Sequence, residues 1–139
     1  MRSNRTKSGA DFKNKRMNEG VYAERRVIID LIYKAKNLLR SKGIQLPRID
    51  VRIVDADRSK TTSIGRARMR DNIIWIPADS LKKYSKQQYQ IVLHELCHAV
   101  WGIEHDLKCK LMHTNLQMDL TDSKAESIFL SYATKHSPK

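Results

Sequence analysis

The chain has 139 residues, which is enough for one domain with a hydrophobic core and too few for two. Hydrophobic residues make up 40% and charged residues 30%, as in an ordinary soluble globular protein, and no stretch approaches the ~20 apolar residues of a membrane span. The net charge of +12 is compatible with binding to nucleic acid, but no aromatic residues interleave with the basic ones as a base-stacking surface requires. A solubilising surface is therefore favoured over a nucleic-acid interface, and no membrane partner is expected.

The N-terminus is basic and polar and lacks the apolar segment of a secretory signal, so a cytoplasmic protein is expected. A mature secreted form remains compatible with the sequence. Two cysteines, Cys97 and Cys109, are too few for a disulfide framework, and whether they pair is left open. A monomer is the default expectation for the oligomeric state.

The composition and the hydrophobic pattern of the chain change near residue 20. Residues 1–19 are polar, basic and aperiodic, which predicts a flexible N-terminal arm preceding a domain over residues 20–136. From Val21 to Leu39 apolar residues recur at intervals of three and four, which predicts an amphipathic helix. Gly43 is expected to end it.

Three strands are predicted in the middle of the chain. Residues 49–54 alternate apolar with polar side chains, as in a half-buried strand. Residues 64–70 alternate small or apolar with basic side chains, as in an edge strand whose arginines discourage further pairing. After a turn at residues 71–72, the continuous apolar run at 73–76 predicts a central strand, which Pro77 ends.

Two further helices are predicted. Ser85 and Gln88 have the spacing of a capping box and are expected to open the first of them. Residues 106–120 show no periodicity and are predicted to be irregular. Thr121 and Asp122 are expected to cap a final helix with an apolar stripe formed by Ala125, Ile128, Phe129 and Tyr132. These elements predict an α+β fold, with a twisted mixed sheet, a long N-terminal helix, a second helix that carries the motif described next, and a C-terminal helix.

The first of these two helices carries the sequence His94-Glu95-Leu96-Cys97-His98. Histidines four residues apart lie on the same helix face, where both rings can reach one Zn²⁺ ion, and Glu95 can then take a proton from a zinc-bound water. Such a motif also occurs by chance on surface helices with two solvated histidines. That alternative is weak here, because a buried helix rarely carries such polar groups unless something satisfies them. The flanking residues are strongly apolar: Ile91, Val92, Leu93, Leu96, Ala99, Val100 and Trp101.

A catalytic zinc site normally has three protein ligands and leaves a fourth position for water. His105 is the preferred third ligand, because Gly102 lets the chain leave the helix and turn back toward the metal. His113 and Glu126 are the alternatives.

Three parts of the sequence together resemble the signature of the metzincin zinc metallopeptidases, and within them a minimal matrixin-like catalytic domain: His94-Glu95-x-x-His98, Gly102-x-x-His105 and Leu111-Met112. The resemblance covers about residues 21–135. It departs from the family pattern at one point, since three residues rather than two separate His98 from the glycine. One extra helical residue rotates the chain by ~100°, which is why the third ligand is left open.

The resemblance implies a zincin-like fold and a zinc-dependent endopeptidase. By this resemblance Glu95 would be the general base and Met112 would pack beneath the ligands. An extended protein or peptide substrate would pair with the edge strand along residues 64–69. Two other functions remain open. One is a SprT-like protease acting on DNA-associated proteins, and the other is a non-catalytic binding module stabilised by zinc.

Overall fold

The computed structural model describes residues 9–54, 66–68, 70–77 and 83–137. Within these ranges the chain forms three α-helices and three strands, an α+β arrangement as predicted. In chain order the elements are α1 (Gly9–Arg40), β1 (Asp50–Val54), β2 (Arg66–Arg68), β3 (Ile73–Pro77), a 3₁₀ turn (Ser85–Gln87), α2 (Gln88–Trp101) and α3 (Asp122–His136). None of the described helices has the length and apolarity needed to cross a membrane.

The sheet is mixed and has the order β1-β3-β2. β1 runs parallel to β3, with Asp50 opposite Ile73, and β2 runs antiparallel to it, with Ala67 opposite Ile74. The apolar run at 73–76 therefore forms the central strand, as predicted, and Ile74 and Ile76 are fully buried. β2 forms an edge of the sheet and covers the middle of the predicted segment, whereas residues 64, 65 and 69 lie outside the described residues.

The N-terminal helix begins earlier than predicted. α1 starts at Gly9 rather than near Val21, so residues 9–19, assigned to a flexible arm, are helical, and the boundary at residue 20 falls inside the helix. That segment lacks an apolar stripe, but it holds several residues of high helix propensity and no proline. The missing amphipathic pattern therefore does not exclude a helix in this segment. Residues 1–8 lie outside the described residues.

The apolar face of α1 packs on the rest of the domain, as its periodicity predicted. Ile28, Ala35 and Leu39 are fully buried. The helix ends at Arg40, and Gly43 follows in a left-handed conformation with a φ of 75°. The N–H of Ile44 donates to the carbonyl of Leu39, which closes the turn that leads to β1.

α2 is the central helix of the domain and packs against α1, β2, β3 and α3. Its buried residues cover most of its circumference: Tyr89, Gln90, Ile91, Val92, Leu93, Glu95, Leu96, Cys97, His98, Ala99 and Trp101. The predicted capping box is wrong, because the helix is entered through the 3₁₀ turn and its N-cap Gln87 makes no side-chain cap hydrogen bond. The packing of the apolar face, rather than a local cap, therefore sets where α2 begins.

α3 is capped as predicted. The Thr121 side chain accepts a hydrogen bond from the backbone N–H of Lys124, and Asp122 lies in the first turn, where the helix dipole favours a negative charge. Phe129 is fully buried, and its ring lies 5.3 Å from that of Trp101, between centroids. This contact holds α3 against the C-terminal end of α2, where the candidate site lies.

Candidate metal centre

His94 and His98 lie one turn apart on α2, and the Nε2 atoms of their rings converge. The Nε2 atom of His98 is 3.1 Å from that of His94, and the ring centroids are 4.7 Å apart. His98 is buried and His94 is half-buried. The helical spacing therefore brings the two imidazoles together as the motif predicted.

The third histidine reaches them through a turn at Gly102. This residue has a φ of 65°, and its N–H donates to the carbonyl of His98 at 3.0 Å. The chain then reverses and brings the Nε2 atom of His105 to 3.2 Å from that of His94. The extra residue is accommodated because α2 continues through Trp101 before the glycine turns the chain back.

A side chain at Gly102 would meet the exposed side chain of Arg70 and would require it to move. A Cβ atom there would lie 2.7 Å from Nε of Arg70, and the left-handed backbone alone costs a non-glycine residue about 1–2 kcal/mol. We expect Gly102→Ala to lower the free energy of unfolding by at least that amount, as measured by chemical denaturation. The matched control is Gly43→Ala, where φ is 75° and no described atom lies within 4 Å of the added carbon. An equal decrease in the free energy of unfolding in both variants would show that the contact with Arg70 has no cost.

The sheet is hydrogen-bonded to the same end of α2. The turn between β2 and β3 contains Arg70 and Asn72, both with positive φ, at 62° and 58°. The N–H of Arg70 donates to the carbonyl of His98, and the N–H of Asn72 donates to the carbonyl of Ala99. The His98 carbonyl also accepts the N–H of Gly102, whereas the Ala99 carbonyl is one that the end of a helix leaves without an intrahelical partner. Both bonds fix the sheet edge relative to the histidines.

Backbone carbonyls determine which ring nitrogens of two histidines carry the proton. Nδ1 of His94 lies 2.6 Å from the carbonyl of Leu111, and Nδ1 of His98 lies 2.5 Å from that of Ile103. A carbonyl only accepts, so Nδ1 is the donor in both rings and each neutral Nε2 holds a lone pair. The two Nε2 atoms therefore cannot hydrogen-bond to each other, although they are at hydrogen-bond distance.

A metal ion bound between the three rings would account for this arrangement. Nitrogen atoms that bind one tetrahedral Zn²⁺ at ~2.0–2.1 Å lie ~3.3–3.4 Å apart, close to the separations seen here. The backbone bonds to Nδ1 are also the outer partners that metal-binding histidines usually have. Within the described residues, His94, His98 and His105 form the one group whose potential ligand atoms all lie within 4.8 Å of one another. These three residues could hold a metal ion.

The two helix histidines are held in the neutral form that binds metals. Burial lowers the pKa of His94 to about 4, against the opposing effect of its bond to the Leu111 carbonyl. Burial also lowers the pKa of His98. A neutral imidazole is required for coordination, so no proton has to be displaced at neutral pH.

Glu95 lines a cleft of about 120 Å³ together with His94 and His105. Its side chain is buried, and burial raises its pKa to about 8. Within the described ranges its carboxyl group has no hydrogen-bond or ion-pair partner. A buried carboxyl without a partner is costly, which argues against a purely structural role.

The alternative third ligands lie apart from the cluster. His113 is half-buried and lines the same cleft, but its Nδ1 accepts the backbone N–H of Asn115 at 3.0 Å. Glu126 lies on α3 and accepts a hydrogen bond of 2.6 Å from the hydroxyl of Tyr89. Burial and this bond raise the pKa of Tyr89. Neither residue belongs to the group of converging ligand atoms in the described part of the chain.

The loop after His105 returns to α2. It is closed by a bond from the N–H of Asp106 to the carbonyl of Met112, and Met112 is fully buried. Whether its thioether lies beneath a bound metal stays a prediction. Both cysteines are free thiols, and Sγ of Cys109 accepts the N–H of Met112 at 3.4 Å. The carboxylate of Asp106 accepts the N–H of Lys108, within its own loop.

A second anchor of this loop was missed by the sequence analysis. Gln90 lies one turn before His94 and is 2% exposed. Its Nε2 donates to the carbonyl of Gln117, and its Oε1 accepts the N–H of Gln117, both at 2.8 Å. A glutamine four residues before a ligand, on an otherwise apolar helix, was the signal that could have revealed it.

A larger groove of about 950 Å³ lies between α1 and the segment before β1. It is lined mainly by apolar side chains, together with Lys36 and Arg48. The described residues around it include no group of potential metal ligands. The smaller cleft is therefore the candidate site despite its size.

Comparison of the chain with protein-family models, with curated proteins and with solved structures gave no match. The likeness to the metzincins therefore rests on the motif residues, and the function has to follow from the chemistry of the site.

Proposed function

We propose that the protein is a zinc-dependent endopeptidase in which His94, His98 and His105 bind the metal and Glu95 is the general base. The observation that carries this proposal is the convergence of the three histidine side chains. The Nε2 atoms of His94 and His98 face each other and both hold lone pairs. The buried carboxyl group of Glu95, which has no described partner, lines the same cleft. The same residues carry the resemblance to the metzincins and hence a zincin-like fold.

Zinc is the metal that suits this set of ligands. Imidazole nitrogens bind zinc, copper, iron and nickel well, whereas magnesium and calcium prefer oxygen. Three protein ligands with an open fourth position are typical of catalytic zinc, and structural sites usually close that position. With these three histidines as its only described ligands, the site supports the catalytic type.

Zinc bound here would lower the pKa of a coordinated water toward ~7 and polarise the carbonyl of the scissile bond. Glu95 would accept the proton of the attacking water on its carboxylate and pass it to the leaving amine. Burial raises the pKa of this carboxyl group, and the positive charge of a bound zinc ion would lower it again, toward the ionised form that a base requires.

The edge strand supports a peptide as the substrate. Among the described strands β2 pairs only with β3, and the turn between them is hydrogen-bonded to the end of α2 that carries His98. An extended peptide could add, by main-chain hydrogen bonds, to the edge of β2 that has no partner among the described strands. That position would bring its backbone toward the histidines.

The direct test is hydrolysis of β-casein, an unfolded protein substrate, by the purified, zinc-loaded chain. We expect new casein fragments by mass spectrometry, loss of cleavage with 1,10-phenanthroline and recovery when zinc is restored. The same assay with single-stranded DNA tests the SprT-like alternative, which predicts stimulation. A protein that binds zinc in stoichiometric amount but cleaves nothing would instead support a non-catalytic binding module.

A further inference from the structure

We propose that His113 is a second functional residue of the cleft, which donates its Nε2–H to the carbonyl oxygen of the bond being cleaved. This role rests on the proposed function, because it requires a peptide carbonyl beside Glu95. His113 keeps its proton throughout. It provides a hydrogen bond that strengthens as negative charge develops on the oxygen.

The ring of His113 has the opposite tautomer to those of His94 and His98. Its Nδ1 lies 3.0 Å from the backbone nitrogen of Asn115, and a backbone N–H only donates. Nδ1 is therefore the acceptor, and the neutral ring carries its proton on Nε2. His94 and His98 thus carry a lone pair on Nε2, whereas His113 carries an N–H group at the same ring position.

The position of His113 fits a contact with substrate rather than with metal. It is half-buried and lines the same cleft as His94, Glu95 and His105. It lies outside the group of described ligand atoms that come within 4.8 Å of one another. A ligand role would also close the fourth position that hydrolysis needs.

The loop that carries His113 is fixed to α2 at both ends. Two residues before it, the carbonyl of Leu111 accepts Nδ1–H of His94. Four residues after it, the backbone of Gln117 both donates to and accepts from the side chain of Gln90. One helix therefore holds two of the three proposed metal ligands and also fixes the loop bearing His113. This is the preorganisation that a hydrogen-bond donor needs to act on developing charge.

The matched variants are His113→Ala, His113→Gln and the control His136→Ala, which removes an exposed histidine from the last turn of α3. Removing one donor to a developing oxyanion typically costs about 10²–10³ in kcat. We expect that loss for His113→Ala on fluorescently labelled casein, with KM and zinc content little changed. His113→Gln keeps an N–H donor and should recover part of the loss, and His136→Ala should match the wild type.

Nitrogen-15 NMR of the histidine rings in the metal-free wild type gives a readout independent of activity. We expect the proton on Nε2 of His113 and on Nδ1 of His94 and His98. A proton on Nδ1 of His113, or a wild-type kcat in His113→Ala, would overturn the proposed role while leaving the peptidase assignment intact. A wild type that binds zinc but does not cleave casein would overturn both.

Discussion

The Glu95→Gln variant is expected to bind zinc as the wild type does and to hydrolyse casein about 10²–10⁴-fold more slowly, the usual contribution of a general acid–base group. Glutamine keeps the size of the buried side chain but cannot accept a proton. The substitution breaks no hydrogen bond within the described residues, because the Glu95 carboxyl group has no partner there. The fold should therefore be retained. The measurement is kcat on labelled casein, together with zinc content and circular dichroism.

The matched control for this change is Glu104→Gln, which makes the same substitution at an exposed position next to His105. It should hydrolyse casein at the wild-type rate. Undiminished turnover in Glu95→Gln would refute the role given to that carboxylate, whatever the metal content.

The His105→Ala variant is expected to lose zinc. Losing an outer partner of a ligand typically costs 10–100-fold in metal affinity, and losing a ligand itself should cost more than ~100-fold. His105 is exposed, so the domain should still fold. Metal content after dialysis, and competition with a chromophoric chelator, measure the effect.

The controls for this variant are His113→Ala and Glu126→Ala, the two alternative ligands. Both should keep zinc, because His113 lies outside the converging atoms and Glu126 is bonded to Tyr89. Zinc retained in His105→Ala and lost in either control would contradict the ligand set and the likeness to the metzincins.

Local patterns in the sequence predicted the parts of this structure that depend on local spacing. His94 and His98 face the same way because helix periodicity requires it, and the burial of Ile74 and Ile76 follows from the apolar run of β3. The cap at Thr121 was also recognisable, because it is formed within a few residues.

The parts that were missed depend on contacts between distant segments. The two hydrogen bonds between Gln90 and Gln117 join residues that are 27 positions apart in the sequence. The turn at Arg70 and Asn72 finds its partners at the end of α2, which no local pattern reveals. The Ser85 capping box failed because tertiary packing overrode a local signal.

Three residues separate His98 from Gly102, one more than in the metzincin signature, and this difference shows both what the sequence reveals and what only the fold reveals. Counting residues showed that the family spacing was broken, and this left His113 and Glu126 open as ligands. Only the path of the chain shows that α2 extends to Trp101 and that His105 still reaches His94.

The most direct test of the central claim is a crystal structure of the zinc-loaded protein with anomalous data collected at the zinc absorption edge. We predict one strong peak at ~2.0–2.1 Å from the Nε2 atoms of His94, His98 and His105, with the fourth position facing the cleft that contains Glu95. A peak bound by other residues, a fourth protein ligand that closes the site, or no peak at all would contradict the account.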